Sequence, residues 1–424
     1  MWPSRFRTAR REAPLRAHEH LLRSSRVRPW PVVTFLRPDR LRRGVQDRGV
    51  PAKRVWRELR EASDDDLHFR DARIFGSMCT EPLPIARRAH GMFLEANLGN
   101  PGYYKGTWRL ERETLKMLSS LLHGMNLGGF TVSGATEGNI TALWMARNTT
   151  RRRTVIAAKT AHFSVRKAAD LLGMRLVEIG YDEDYRLDVD ALRKKVTKDT
   201  AAVVAVAGTT ELGQVDPIGE IGELCEDRTF LHVDAAFGGF VLPFLGDAGV
   251  PRWDFQVPGV SSLVLDAHKM GMATIPASHL LVREGSHFAK IAVESPYLTS
   301  VYQTSLLGTR NSAGVAAAYA AMRSLGREGY ERIVARCMRN TRLIVKRARE
   351  AGVEPVVEPM MNVVAFPLDD VEAVQRALDA KGWKVSTARN PPALRVVVMP
   401  HITAKAAAAF AEDLVAACRK LGGI

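Results

Sequence analysis

The sequence predicts an α/β fold: a seven-stranded, mainly parallel sheet followed by a smaller C-terminal α+β unit. Three observations predict it. Short runs rich in Val, Ile, Leu and Ala, apolar at successive positions, alternate with helical segments, as strands covered by helices on both faces do. His162, Thr210, Asp234 and Lys269 each end or closely follow one of these runs, and the carboxyl ends of strands are where open α/β sheets bind ligands. After Gly308 the alternation stops and a long helical stretch takes over.

From about Pro51 a helical pattern through Val55 and Leu59 leads into Ile74–Cys79. Asn97–Gly102 is turn chemistry, and a helix through Trp108 and Leu115 runs to about Leu122. Strands are expected at Phe130–Ser133, Thr154–Ala158, Arg175–Ile179, Ala202–Ala207, Phe230–Asp234, Ser262–Asp266 and His279–Val282, with helices such as Glu137–Arg147 and Val165–Leu172 between them. A long helix, roughly Ser312–Arg349, is expected to break near Gly326 and Gly329. The smaller unit offers strands at Asn362–Phe366 and Leu394–Val398, and helices near Val371–Lys381 and Ala404–Leu421. The implied organisation is an arm over residues 1–48, an N-terminal segment 49–105, a large domain 106–305 and a small domain 306–424.

The chain has 424 residues, 46% of them hydrophobic, enough for large buried cores. No apolar run reaches the roughly 18 residues of a membrane span, and no apolar secretory stretch follows the basic N-terminus. The four cysteines, Cys79, Cys225, Cys337 and Cys418, lie far apart, without zinc-ligand spacing. Reduced thiols in a cytoplasmic protein, with no metal, is the expectation. The net charge of +15 raises nucleic acid as a partner, but residues 1–50 alone hold 13 Arg, no Lys and four acids, which is +9 of it. The remainder is ordinary for an enzyme. The Arg-rich stretch reads as a weakly ordered arm or as a spurious upstream extension, with RNA binding by the arm as the alternative.

Lys269 ends the run Ser262-Leu-Val-Leu-Asp-Ala-His268-Lys269, and Asp234 ends Leu231-His-Val-Asp. A strand-end lysine and a strand-end aspartate are what an enzyme needs to hold pyridoxal 5′-phosphate (PLP): the amine forms the Schiff base and the carboxylate favours a protonated ring nitrogen. Ala235 and Ala236 are small enough for close approach of a ring, and Gly238-Gly239 permits a tight turn. Burial beside a cationic ring is expected to lower the pKa of Lys269. Ser133-Gly-Ala135-Thr136-Glu-Gly-Asn139 reads as a strand-to-helix turn whose N–H groups can bind phosphate, although such turns are also ordinary helix capping. His162 can stack on a ring or be an ordinary loop residue. Thr210, in Gly208-Thr-Thr-Glu-Leu-Gly213, can bond a ring oxygen or belong to a plain turn.

These segments, with Pro296–Thr299, Leu306–Arg310 and Arg395–His401, resemble the PLP-dependent group II amino-acid decarboxylases, and within them the archaeal L-tyrosine/L-aspartate decarboxylase family. The resemblance runs from about Val50 to the C-terminus. It implies the PLP-dependent transferase fold type I, a homodimer, and a small amino-acid substrate that loses its α-carboxylate. It also implies Lys269 as the Schiff-base lysine, Asp234 as the ring-nitrogen partner and His162 as the stacking and catalytic residue. Ala135, Thr136 and His268 would hold the phosphate, Thr210 would contact the ring oxygen, and Ala236 would lie against the ring. Tyr297 is the candidate proton donor and Arg395 the candidate anchor for the substrate carboxylate. Departures from the family pattern are Ala135 for a common glycine, Ala267 for a proline, Ser278-His279 for a Gly-Gly-like pair, and Gly138 for a better helix former.

The resemblance implies L-aspartate decarboxylation to β-alanine, for coenzyme A, or L-tyrosine decarboxylation to tyramine, for methanofuran. Aspartate is preferred because the need for coenzyme A is broader, not because a pocket residue selects it. The rivals are another PLP lyase, or a sulfur-transfer enzyme, for which Cys79 is the cysteine nearest a family motif.

Overall fold

A computed structural model of the chain describes Val45 and residues 48–226, 228–246 and 249–421. The expected arm therefore lies outside the described residues, apart from Val45 and Arg48. The chain divides into two units. The first contributes one described helix, α1 (Ala52–Asp64), all of whose residues are exposed. Everything below belongs to the second, which starts at Leu67.

In chain order this unit holds α2 (Pro84–Met92), α3 (Lys105–Leu121), β1 (Gly128–Val132), α4 (Ala135–Thr150), β2 (Thr154–Ala158), α5 (Ser164–Leu171), β3 (Arg175–Ile179), α6 (Val189–Lys195), β4 (Thr200–Val206), α7 (Ile218–Cys225), β5 (Phe230–Asp234), β6 (Val260–Asp266) and β7 (Ser278–Val282). A short ribbon, β8 (Val293–Glu294) with β9 (Tyr302–Gln303), precedes α8 (Ser312–Arg349). Then come β10 (Val363–Phe366), α9 (Val371–Ala380), β11 (Ser386–Arg389), β12 (Pro392–Val397) and α10 (Ala404–Lys420).

The main sheet has the order β1-β7-β6-β5-β4-β2-β3. β7 is antiparallel to both its neighbours, and the remaining pairings are parallel. β2, β4 and β5 are buried along their whole length, as apolar runs covered on both faces must be. β3 is the edge, and its Arg175 and Glu178 are exposed. Because β1, β2, β4, β5 and β6 all run the same way, their carboxyl ends open on one rim.

The smaller sheet, β10-β12-β11, is antiparallel. Its apolar side packs with the last turns of α8 (Ile344, Val345, Ala348), α9 and α10. The Ile74–Cys79 segment joins it: Phe75 N–H donates to Lys384 O at 2.7 Å, Val397 N–H donates to Phe75 O at 2.7 Å, and the Phe75 ring stacks on Phe410 at 4.2 Å. That docking delivers Met78 to the rim of the large sheet. The long helix breaks once, at Gly326 (φ 57°, ψ −175°), while Gly329 stays helical and buried.

Gly138 replaces a better helix former for a packing reason. A Cβ there would lie 2.4 Å from Val264 Cγ2, so glycine lets α4 lie directly on β6. Gly238 has a similar cause, since a Cβ would come within 2.1 Å of Ala207 O.

Candidate active site

A cavity of about 170 Å³ opens at the rim where β1, β2, β4, β5 and β6 end. Lys269, Asp234, His162, Thr210, Ala236 and His268 all line it, together with Ala135 and Thr136 from the first turn of α4. Eight residues expected from the sequence to serve one cofactor, spread over 135 positions of chain, therefore converge on one space.

Asp234 is 4% exposed, and both carboxylate oxygens accept hydrogen bonds: Oδ1 from Ala236 N–H at 3.0 Å and Oδ2 from Asn139 Nδ2 at 2.8 Å. Beneath it His232 Nε2 meets Asn139 Oδ1 at 2.8 Å, and His232 Nδ1 meets Ser262 Oγ at 2.8 Å. Burial pushes His232 down to about 4, so the ring is neutral. His162 Nδ1 is 2.8 Å from Ser164 Oγ. Burial pushes His162 down as well, against the pull of Asp234.

Burial is the largest influence on Lys269 and lowers its pKa, but Asp266, with Oδ2 2.9 Å from Nζ, together with Asp234 and Cys79 turns the net direction up. The same pair acts on Asp266. Burial pushes that carboxyl up, and Lys269, His268 and the Ser278 hydroxyl together bring it below its ordinary value. Asp266 Oδ1 also accepts from Ala135 N–H at 3.0 Å, at the positive end of α4. Ser278, which departs from a small-residue pattern, thus has a partner in Asp266. His268 Nδ1 sits 2.8 Å from Ala277 O.

Three residues lie apart from the cavity lining. Tyr297 is 84% exposed, in the turn between β8 and β9. Arg395, on β12, is 6% exposed and stands behind Thr210: Nε donates to Thr210 O at 2.6 Å, and Nη1 to Ser386 Oγ at 2.8 Å and Gly76 O at 3.2 Å. Beside it Glu211 accepts the N–H groups of Arg389 and Asn390, both at 3.1 Å. Cys79 is part-buried next to Met78, and burial pushes its thiol up, the opposite of an activated nucleophile.

Residues 110–369 match the pyridoxal-dependent decarboxylase conserved domain. The chain belongs to the pyridoxal-dependent decarboxylases. It is 46% identical over 362 residues to a probable L-aspartate decarboxylase of Archaeoglobus fulgidus, covering 85% of this chain and 98% of that one. It is 46% identical over 343 residues to a probable L-tyrosine/L-aspartate decarboxylase of Methanothermobacter thermautotrophicus, covering 79% and 94%. Among solved structures, a sphingosine-1-phosphate lyase of Burkholderia pseudomallei superposes with a TM-score of 0.83 at 28% identity, covering 91% of this chain and 95% of that one. The glutamate decarboxylase of Lactobacillus brevis gives 0.82 at 19% identity, covering 90% and 95%, a likeness of fold. The protein is a PLP-dependent carboxy-lyase with the type I fold that the family resemblance implies.

The residues of this decarboxylase fit the cofactor. The first N–H groups of a helix have no intrahelical partner, and at α4 they stand beside the small residues Gly134 and Ala135 at one end of the cavity. An amine and a doubly anchored carboxylate also line it. Four members of the site escaped the sequence reading: Asp266, Asn139, His232 and Ser262. Asp266 carried a usable signal, since it ends β6 as Asp234 ends β5 and precedes Lys269 by three residues. Asn139, mid-helix, carried none.

Proposed function

We propose that this carboxy-lyase removes the α-carboxylate of L-aspartate to give β-alanine, the precursor chemistry of coenzyme A. The observation that carries the reading is Arg395. Its guanidinium is buried, its Nε and Nη1 partners are neutral oxygens, and Nη2 donates to no described residue. Burial lowers its pKa to about 10, which leaves it charged at neutral pH. Glu211, the acid that acts on it, is committed to backbone N–H groups. A buried cation without a paired anion is an attractor for a carboxylate, and aspartate brings two. The relative named for L-aspartate supports the same choice, and the one named for both L-tyrosine and L-aspartate is compatible with either.

Bound PLP supplies the sink for the electrons that carbon dioxide leaves behind. The chain's residues do the rest in this reading. Lys269 Nζ would be the amine that holds the cofactor, and Asp234 would keep the ring nitrogen protonated. His162 would cover the ring and Thr210 would bond its oxygen, while Thr136 and His268 would hold the phosphate with the α4 N–H groups. Ala236 would lie against the ring. Ala135, whose N–H is taken by Asp266, contributes room for the phosphate. Tyr297 would supply the proton for the α-carbon from its hydroxyl.

We place the enzyme in the cytoplasm as a homodimer. An open groove of about 730 Å³ along α3, with Trp108, Arg109 and Arg112 on one side and Thr299 and Ser300 on the other, supports a partner copy there. No described helix is long and apolar enough to cross a membrane. Incubating the purified chain and PLP with L-aspartate, L-tyrosine and L-glutamate in turn, with carbon dioxide and amine recorded, tests the substrate. β-Alanine as the fastest product supports the reading. Tyramine as the main product replaces it with the tyrosine reading and a place in methanofuran synthesis.

A further inference from the structure

The amide of Asn139 bonds Asp234 directly and reaches His162 through Ser164. Asp234 Oδ2 accepts from Asn139 Nδ2, so the amide oxygen must face the other way, toward His232 Nε2. Nε2 there carries the proton, and Nδ1 accepts from Ser262 Oγ–H. The second proton of Asn139 Nδ2 goes to Ser164 Oγ at 2.8 Å. Ser164 in turn faces His162 Nδ1 with two donors, its hydroxyl at 2.8 Å and its backbone N–H at 3.3 Å. A backbone N–H can only donate, so Nδ1 of His162 carries no proton and the ring proton sits on Nε2. The donors run in one direction without a break from Ser262 through His232 and Asn139, where the chain forks to Asp234 and, by way of Ser164, to His162. Asn139, His232 and Ser262 are fully buried, and none lines the cavity.

We propose that Asn139 is a positioning residue that orders two contacts of the cofactor ring at once: it anchors the Asp234 carboxylate and, by holding the Ser164 oxygen as its acceptor, turns the Ser164 hydroxyl onto His162 Nδ1, where that hydroxyl joins the Ser164 backbone N–H in holding the Nε2–H tautomer. The proposal rests on the reading that Asp234 bonds the ring nitrogen and His162 covers the ring. Removing a group that orients a ligand-holding residue typically costs 10- to 100-fold in affinity or activity in metal sites, and a similar scale is expected here.

The full chain, labelled with ¹⁵N-histidine, is compared with Asn139→Ala, Ser164→Ala and His232→Gln, both holding PLP and after its removal. His162→Gln identifies the resonances. In the parent chain His162 shows one bare nitrogen at Nδ1 and one protonated nitrogen at Nε2, with or without PLP. Asn139→Ala draws the two nitrogens together and weakens PLP binding about 10- to 100-fold. Ser164→Ala disturbs His162 alone and leaves PLP affinity nearly unchanged. His232→Gln, which keeps a donor for the Asn139 oxygen, retains most of both properties.

A folded Asn139→Ala whose His162 nitrogens and PLP affinity match the parent overturns the proposal. Should Asn139→Ala not fold, unshifted His162 nitrogens in Ser164→Ala overturn it instead. Asp234→Ala separates the underlying reading. If that variant binds PLP as the parent does, the reading of Asp234 has failed. If it loses affinity while Asn139→Ala does not, the proposal alone has failed.

Discussion

The floor of the cavity and the segment that closes its chain-order neighbourhood are built on opposite plans. There Asp234, on the floor, and Asn139 and His232, beneath it, are at most 4% exposed, and each polar atom of those side chains has a partner. Between β8 and β9, Tyr297 is 84% exposed, and the turn is tied to the rest mainly by Thr299, which bonds Asn100 and Gly102. The difference teaches which functions need which surroundings. A fixed charge under a ring acts strongly only where water is excluded and its partners are preset. A group that must meet each new substrate has to stand where substrate arrives.

The comparison breaks first at Lys269. Lys269→Ala is expected to abolish turnover, by about 10⁴-fold or more, and to remove the absorbance of lysine-bound PLP; a variant retaining that absorbance contradicts the assignment. Asp234→Ala comes next, with a loss of roughly 10²- to 10³-fold in kcat while some PLP remains bound. Full activity in that variant would mean the floor is not the electron sink's support. Tyr297→Phe sharpens the contrast, because an exposed residue should be separable from the floor. Its kcat is expected to fall by about 10²-fold with PLP affinity and thermal midpoint unchanged, and a weakened PLP complex would show that the two regions are not independent.

The smallest effect concerns the buried histidines. His279, on β7, is fully buried, and its Nε2 has no partner among the described residues. Burial pushes it down to about 4, as it does His232. The unfolded chain takes up the proton near pH 6.5, so between about 6.5 and 4 the unfolded state binds more protons than the folded state. Stability is therefore intact above that window and falls as pH drops through it, by on the order of 2 kcal/mol per histidine from pH 7 to 4.5. His279→Gln should flatten the pH dependence of the urea midpoint. Equal loss in parent and variant would refute the linkage.

Legibility in the sequence followed burial. The strands Thr154–Ala158, Arg175–Ile179 and Phe230–Asp234, and the helix Ser312–Arg349, have the bounds their patterns predict, and the other main-sheet strands differ by one or two residues. β11, Ser386-Thr-Ala-Arg, was not legible because it is short and polar and buries Ala388 alone. β8 and β9 bury nothing fully and leave no periodic trace. In the site, Lys269 and Asp234 announced themselves as charges ending apolar runs. Asn139 did not, because a neutral residue inside a helix shows its purpose only through contacts with residues 25 to 95 positions away.

Thr210 lines the cavity, yet its carbonyl is held by Arg395, and its neighbour Glu211 is held by Arg389 and Asn390. Those three grips come from the last tenth of the polypeptide. During synthesis the β4 loop is finished long before the strands that grip it leave the ribosome. A truncated or stalled product stopping short of β12 therefore carries every residue that lines the cavity while lacking the Arg395 clasp on Thr210.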